Sequence, residues 1–308
     1  MSDPTPSTCP SPSVPRRAAG ALAALLAACG SSPAPAPAGT SPIAGWEGAL
    51  TTYKLTSPVT GIVSRNVTVL LPPGYKDAAA AAKSYSVLYL HDGNNCLDHD
   101  PFGHGGWQVH TTATDLITRG LMAPVIIAMI DNSASRTEEY NPGTGVAPAA
   151  TAEGYLDFVE HTVVPFVETN FRAAKGAANR GIGGSSFGGI ISLYAGWTRP
   201  AVFGVVMAMS QAPRVYDFAG LVASSPGGKK ALRIYLDSGT IDPFGPNGTN
   251  QVNDYQQATI DLRNLLAGRG WVLGQDLQYA LGQGDEHNEA AWRRRLPGAL
   301  PFLFPPGH

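Results

Sequence analysis

No sign of charge dominates this sequence. Its 21 Lys and Arg stand against 23 Asp and Glu, a formal net charge of -2 over 308 residues, with no long run of either sign. Nucleic acid and anionic membrane surfaces are held largely by clustered positive charge, so neither is expected as a partner. Cysteine is nearly absent: Cys9, Cys29 and Cys96 are the only three. If the first two belong to a leader, as argued next, Cys96 stands alone in the fold and no intramolecular disulfide can form. No Cys/His spacing of the zinc-binding kind occurs, so neither a metal nor a cofactor is expected. An internal repeat is lacking too, which removes solenoids and propellers.

The longest Ala/Leu stretch near the start, Ala18 to Ala28, is too short to span a bilayer stably. It follows Arg16 and Arg17 and ends in Leu26-Ala27-Ala28-Cys29-Gly30. A positive flank, a short apolar stretch and small residues read as a secretion signal, and the ending resembles a bacterial lipobox in which Cys29 would carry lipid. Residues 1–29 are therefore expected to be a leader. Membrane association would come only through that anchor, and the protein would be an exported envelope lipoprotein or a secreted or periplasmic one. Residues 30–45, rich in Pro, Ala and Ser, cannot bury enough apolar surface to fold and suit a linker. Residues 46–308 form one catalytic domain on this reading, a size ordinary for a single α/β core.

Within that domain, apolar strand-like runs alternate with helix-length segments, the pattern of a mostly parallel central sheet covered by helices on both faces. Strands are expected at Asn66 to Leu71, Ser86 to His91, Val125 to Asp131, Arg180 to Gly184, Val205 to Ser210, Leu232 to Asp237 and Leu277 to Leu281. Helices are expected at Thr111 to Arg119, Gly154 to Asn170, Phe187 to Trp197, Asn253 to Leu266 and Asn288 to Phe302. Asp92 to Gln108 is too polar and too rich in glycine for either, and reads as a loop over the carboxyl ends of the strands, where such sheets bind ligands.

Gly184-Ser185-Ser186-Phe187-Gly188 fits G-x-S-x-G, and it lies between an expected strand and an expected helix. That is the setting of a nucleophile elbow, hence of an α/β-hydrolase fold. The small residues two before and two after Ser186 let strand and helix approach closely. Ser185 is a poorer candidate, because shifting by one residue loses Gly188 from the spacing. A serine hydroxyl needs a base and an acid that orients it, and in this fold they follow in the order Ser, Asp or Glu, His. His287, after the last expected strand, is the candidate base; His308 sits on the terminus. Asp242 is the leading acid, with Asp237 and then Asp254 behind it, while Asp285 is too close to His287 in sequence. Two oxyanion donors are expected, the backbone N–H of Phe187 and that of Asn94 after the Asp92-Gly93 turn. His91, closing a buried strand, reads as structural.

Leu88 to Asn95, Gly183 to Gly189, Asp237 to Asp242, and Gly284 to Glu289 with Trp292 together resemble a family of esterases. It includes enterochelin esterases, esterase D, feruloyl and acetyl-xylan esterases and the mycobacterial mycolyltransferases. The resemblance runs from about Thr51 to Phe304. It implies a serine carboxylic-ester hydrolase working through a Ser186-His287-Asp242 triad, favours Asp242 over Asp237, and supports Asn94. It also implies that Asp131 to Pro142, with Arg136, Glu139 and Tyr140, faces the substrate, although Arg136 could equally pair locally. The expected partner is a small-molecule or polysaccharide-linked ester. Arg136 and Arg214 are the only basic residues placed for an anionic one, and Phe102, Trp107, Phe187, Tyr216 and Phe244 could wall a pocket. Acyl transfer to a sugar or lipid alcohol, and a non-catalytic envelope binding protein on the same scaffold, are the alternatives. The sequence does not decide the oligomeric state.

Overall fold

The computed structural model describes residues 37–39, 49–143, 151–241 and 254–307. The expected leader, with Cys29, lies outside them, as do Asp242 and Phe244. Nine strands form one sheet: β1 (Pro37–Gly39), β2 (Leu50–Leu55), β3 (Arg65–Leu70), β4 (Ser86–Leu90), β5 (Val125–Ile130), β6 (Arg180–Ser185), β7 (Val205–Met209), β8 (Arg233–Gly239) and β9 (Leu277–Gly282). Their order is β1-β2-β3-β5-β4-β6-β7-β8-β9. From β5 to β9 all neighbours are parallel, whereas β1, β2 and β3 join antiparallel at one edge. This is the mostly parallel α/β sheet the sequence implies.

The central strands are apolar on both sides because helices cover both sides. Along β4, Val87 and Tyr89 enter one core while Leu88 and Leu90 enter the other. The helices are α1 (Val109–Thr118), α2 (Arg136–Tyr140), α3 (Ala152–Phe158), α4 (Val164–Asn170), α5 (Phe187–Thr198), α6 (Phe218–Ser224), α7 (Asp254–Gly268) and α8 (Glu289–Leu303). Val109 and Leu116 of α1 share one core with Leu296 and Leu300 of α8. The opposite core takes Tyr155 of α3, Ile190 and Ile191 of α5, and Leu262 and Leu266 of α7.

Several elements differ from expectation. β2 was not expected, because Leu-Thr-Thr-Tyr-Lys-Leu has buried apolar residues only at its two ends and shows neither alternation nor an apolar run. Pro37–Gly39, inside the stretch read as a linker, pairs with Tyr53 and Thr52 of β2. The long helix expected from Gly154 to Asn170 divides into α3 and α4 around a π turn at Val159–Val163. Pro165, in the first turn of α4, accounts for the break: it has no N–H, and its ring would crowd the carbonyl of His161 in a regular α-helix.

At the end of β4, His91 is 1% exposed and its Nδ1 lies 2.7 Å from the Tyr155 hydroxyl. Burial pushes the imidazole down to about 3, outweighing the opposing pull of the neighbouring Asp92 charge. Since an unfolded histidine titrates near 6.5, the unfolded chain binds one more proton between those limits. The His91 contribution is therefore intact above pH 6.5 and is lost as pH falls toward about 3, at up to roughly 1.4 kcal/mol per pH unit. Urea-unfolding free energies measured from pH 7 to pH 4 should show this one-proton slope in the native sequence and lose it in His91→Gln. An unchanged slope in the variant would place the buried proton-excluding group elsewhere.

Candidate active site

Ser186 stands between β6 and α5 with φ 57° and ψ -120°. A positive φ is unfavourable for any residue bearing a Cβ, and four backbone hydrogen bonds hold it. The Ser186 N–H donates to the Met209 carbonyl at 3.0 Å, and its carbonyl accepts from Gly189, Ile190 and Ala212 at 3.0, 3.1 and 3.3 Å. A Cβ on Gly184 would fall 2.8 Å from the Gly188 backbone. Strand and helix meet at the two glycines of the motif, so the spacing around Ser186 has a steric origin.

Ser186 is half-buried and opens into a cleft of about 460 Å³ lined by Asn94, Phe187, Arg136, His287, Glu289 and Trp292, among others. That volume lies in the range of small-molecule sites. His287 follows β9 and precedes α8, and its ring packs edge-on against Trp292 and Tyr255, with centroids 5.2 and 5.4 Å apart. The structure thus brings Ser186, His287, Asn94 and Phe187 to one cleft. Among the described residues, neither the Phe187 N–H nor the Asn94 N–H donates to a carbonyl. Asp92 adopts φ 56° to start the turn that presents Asn94. A Cβ on the following Gly93 would lie 2.7 Å from the Met129 carbonyl carbon, so this turn needs glycine.

Of the acids, Asp237 is fully buried and committed. It accepts from Ser210 N at 2.8 Å and from the Tyr235 hydroxyl at 3.2 Å, and lies 2.9 Å from Arg295 Nε. Arg295 also pairs with Asp285, so both carboxylates are held by one guanidinium beneath the cleft. Asp242 is two residues past Thr240, whose N–H donates to the Gly282 carbonyl at 3.1 Å and whose hydroxyl accepts from Gly284 N at 2.9 Å. Ile241 N donates to the Asp285 carbonyl at 3.1 Å. The chain leaving β8 is therefore stitched to the turn that carries His287. A Cβ on Gly239 would lie 2.2 Å from the Asp285 carbonyl oxygen, which explains the glycine of the Gly-Thr turn. The side chain of Asp254 is not described.

Arg136 does both things the sequence allowed. Its Nε and Nη2 donate to the two oxygens of Asp92 at 2.6 and 2.8 Å, which ties the Asp92–Asn95 turn to α2, and it also lines the cleft. Burial opposes the charge of Arg136, but Asp92 outweighs burial and raises its pKa. Glu139 and Tyr140 are buried and do not line the cleft. Glu139 makes a buried two-bond pair with Arg65 at 2.8 Å, and Tyr140 is fully buried with its hydroxyl accepting from Asp92 N at 3.3 Å. Of the aromatic candidates, Phe102 and Phe187 line the cleft, whereas Trp107 is packed against Trp292 in the core and Tyr216 packs on Tyr194. Arg214 does not line the cleft.

Asn95, His104 and Glu289 also line the cleft, and none of them stands out in the sequence. Burial raises the pKa of Glu289, and the nearby Asp100 charge adds to that. For Asp100 burial works the same way, but the N–H groups of Gly106 and Phe102 outweigh it and hold its carboxyl below the usual range. The only sequence signal for this group is the polar, broken stretch from Asp92 to Gln108, since Glu289 lies far away on α8.

Residues 63–303 match the model of a protein family described as "Putative esterase". A protein of Bacillus subtilis named only "Uncharacterized protein YbbA" is 21% identical over 248 residues, which are 78% of this chain and 93% of that one. The siderophore triacetylfusarinine C esterase of Aspergillus fumigatus is 26% identical over 159 residues, 47% of this chain and 50% of the other. Among solved structures, the enterobactin esterase FES of Shigella flexneri superposes with a TM-score of 0.64 at 20% identity, covering 87% of this chain but only 60% of its own. A ferulic acid esterase gives a TM-score of 0.64 at 20% identity, with 83% of this chain and 97% of the other covered. At these identities the superpositions speak to the fold.

Proposed function

Because this chain belongs to the esterase family whose model it matches over residues 63–303, and is a carboxylic ester hydrolase, we propose that Ser186, His287 and Asp242 carry the reaction through an acyl-enzyme. The observation that carries this reading is the strained Ser186 at the amino end of α5, facing the same cleft as His287. His287 takes the proton from Ser186 Oγ as that oxygen bonds to the ester carbonyl carbon. The carbonyl oxygen becomes an oxyanion between the N–H groups of Phe187 and Asn94, both without a carbonyl acceptor among the described residues. Such preset donors stabilise charge only as it develops. On collapse, the bond to the leaving alkoxide breaks and His287 hands it the proton. Water then repeats the cycle on the acyl-Ser186 ester and releases the acid.

The role of Asp242 rests on the stitching of Thr240 and Ile241 to the turn before His287, and on the commitment of Asp237 to Arg295. Two of the similar proteins are named for siderophore or ferulate esters. An open cleft of this size suits such a small ester, or an ester carried on a larger molecule. Export, with an anchor on Cys29, is part of the same proposal; no described helix is long and apolar enough to cross a membrane. A fluorophosphonate probe should modify the native protein once, with the added mass on the peptide containing Ser186. Failure to label, or labelling on another residue, would remove Ser186 as the nucleophile.

A further inference from the structure

The cleft that holds Ser186 also carries, in His104 and Glu289, donors that ester hydrolysis does not use. Asp100 and His104 come from the loop after β4, and Glu289 begins α8. One ligand atom from each lies within 4.8 Å of the others. His104 Nδ1 is 3.4 Å from Asp100 Oδ1 and 3.0 Å from Glu289 Oε2. Around a tetrahedral zinc ion with ligand bonds of about 2.0–2.1 Å, donor atoms stand roughly 3.3 Å apart, so His104 already has close to that spacing from each of the two carboxylates.

The first-row donors are oriented before any ion arrives. Asp100 accepts from Phe102 N at 2.8 Å and Gly106 N at 2.9 Å, and Glu289 Oε1 accepts from Asn95 Nδ2 at 3.1 Å. Outer hydrogen bonds of this kind fix metal-binding side chains. The other atom of that amide, Asn95 Oδ1, is buried and lacks a hydrogen-bond partner among the described residues. An oxygen acceptor withdrawn from water and left unmatched is costly, and this one belongs to the amide that bonds Glu289, where a cation would satisfy it. The carboxylate side chains are 0% and 4% exposed, whereas that of His104 is 37% exposed. The charges are thus out of water, while the imidazole leaves a route in from solvent. A single Nδ1–H can be aimed well at only one of its two carboxylate neighbours; a cation in its place serves both.

We propose that Asp100, His104 and Glu289 form a binding site for one zinc-like divalent cation on the wall of the cleft. One imidazole with two carboxylates suits zinc and neighbouring transition metals better than calcium or magnesium, which take all-oxygen sets. On binding, the Nδ1 lone pair and one oxygen from each carboxylate bond the ion, and any proton on Nδ1 leaves to water. Asn95 Oδ1 or an oxygen from the cleft completes the shell. No local spacing reveals the site, because Glu289 is separated by 185 residues from His104. Cation binding does not depend on the catalytic role proposed for Ser186.

The test is a titration of the EDTA-treated full domain with zinc chloride, followed by calorimetry, with cobalt chloride read in parallel by visible absorption. One equivalent should bind saturably in the micromolar range, and cobalt should give the intense bands of a tetrahedral site. His104→Ala and Glu289→Gln should each weaken binding by at least about 10- to 100-fold, the loss typical of removing even an outer hydrogen-bond partner of a ligand. His287→Ala should keep the equivalent, which separates this site from an ion resting on the other imidazole of the cleft. Absence of saturable binding below millimolar zinc, binding indifferent to His104→Ala, or binding lost in His287→Ala would each overturn the proposal. His104 is partly exposed and Glu289→Gln preserves shape, so neither variant threatens the fold.

Discussion

Ser186→Ala should lower kcat/KM for p-nitrophenyl acetate by roughly ten-thousandfold or more, on the order of 5.5 kcal/mol of transition-state stabilisation. The expectation follows from the geometry of the elbow. Nothing else in the cleft replaces the attacking oxygen, since Ser185 is 4% exposed and lies on β6, one residue before the turn. Alanine carries the same Cβ as serine, so the backbone at φ 57° gains no new clash and the melting temperature should stay close to that of the native protein. Asp242→Asn should cost roughly a hundred- to ten-thousandfold in kcat through loss of imidazole orientation, again with little change in stability. Asp237→Asn should do the reverse, unfolding more readily while keeping most of its turnover. If Asp237→Asn lost activity as deeply as Ser186→Ala at unchanged stability, the orienting acid would have to be reassigned to position 237.

Arg295→Leu should destabilise the protein by roughly 3–5 kcal/mol, the range seen when one partner of a buried ion pair is removed. Arg295 lies within 2.9 Å of Asp237, which is fully buried, and also pairs with Asp285. Its Nη2 donates to the Ser210 hydroxyl at 2.8 Å. Removing the guanidinium strands the buried Asp237 carboxylate, leaves Asp285 to Arg294 alone, and loosens the β8 and β9 turns that carry Thr240 and His287. Urea denaturation reads the loss directly. Adding Asp237→Asn to Arg295→Leu should recover part of it, because one stranded charge disappears. If the double variant were no more stable than the single one, lost packing of the long Arg295 side chain would be the cause instead.

The parts of the fold that the sequence displays are those whose burial leaves a periodic trace. β4, β5 and β7 are apolar at nearly every position because both faces are covered, and their limits follow from the amino acids to within a residue. β2 and the short helices α2 and α6 leave no such trace: they are held by neighbours rather than by their own pattern, and α6 depends on the cap from Asp217 to Gly220 N at 2.7 Å. For the site, the elbow is legible because its glycines are sterically required within five residues, and His287 because chain order limits the choice. The sequence ranks Asp242 ahead of Asp237 by its place after the strand, but the commitment of Asp237 to Arg295, 58 residues away, leaves no trace in the pattern. The wall of Asp100, His104 and Glu289 was invisible for the same reason: residues nearly two hundred positions apart meet only after the sheet is formed.

The backbone of Ser186 carries a broader implication. A φ of 57° with ψ of -120° is a conformation glycine enters freely and serine does not. The hydroxyl at the tip of β6 thus comes at a conformational cost that a glycine there would not carry.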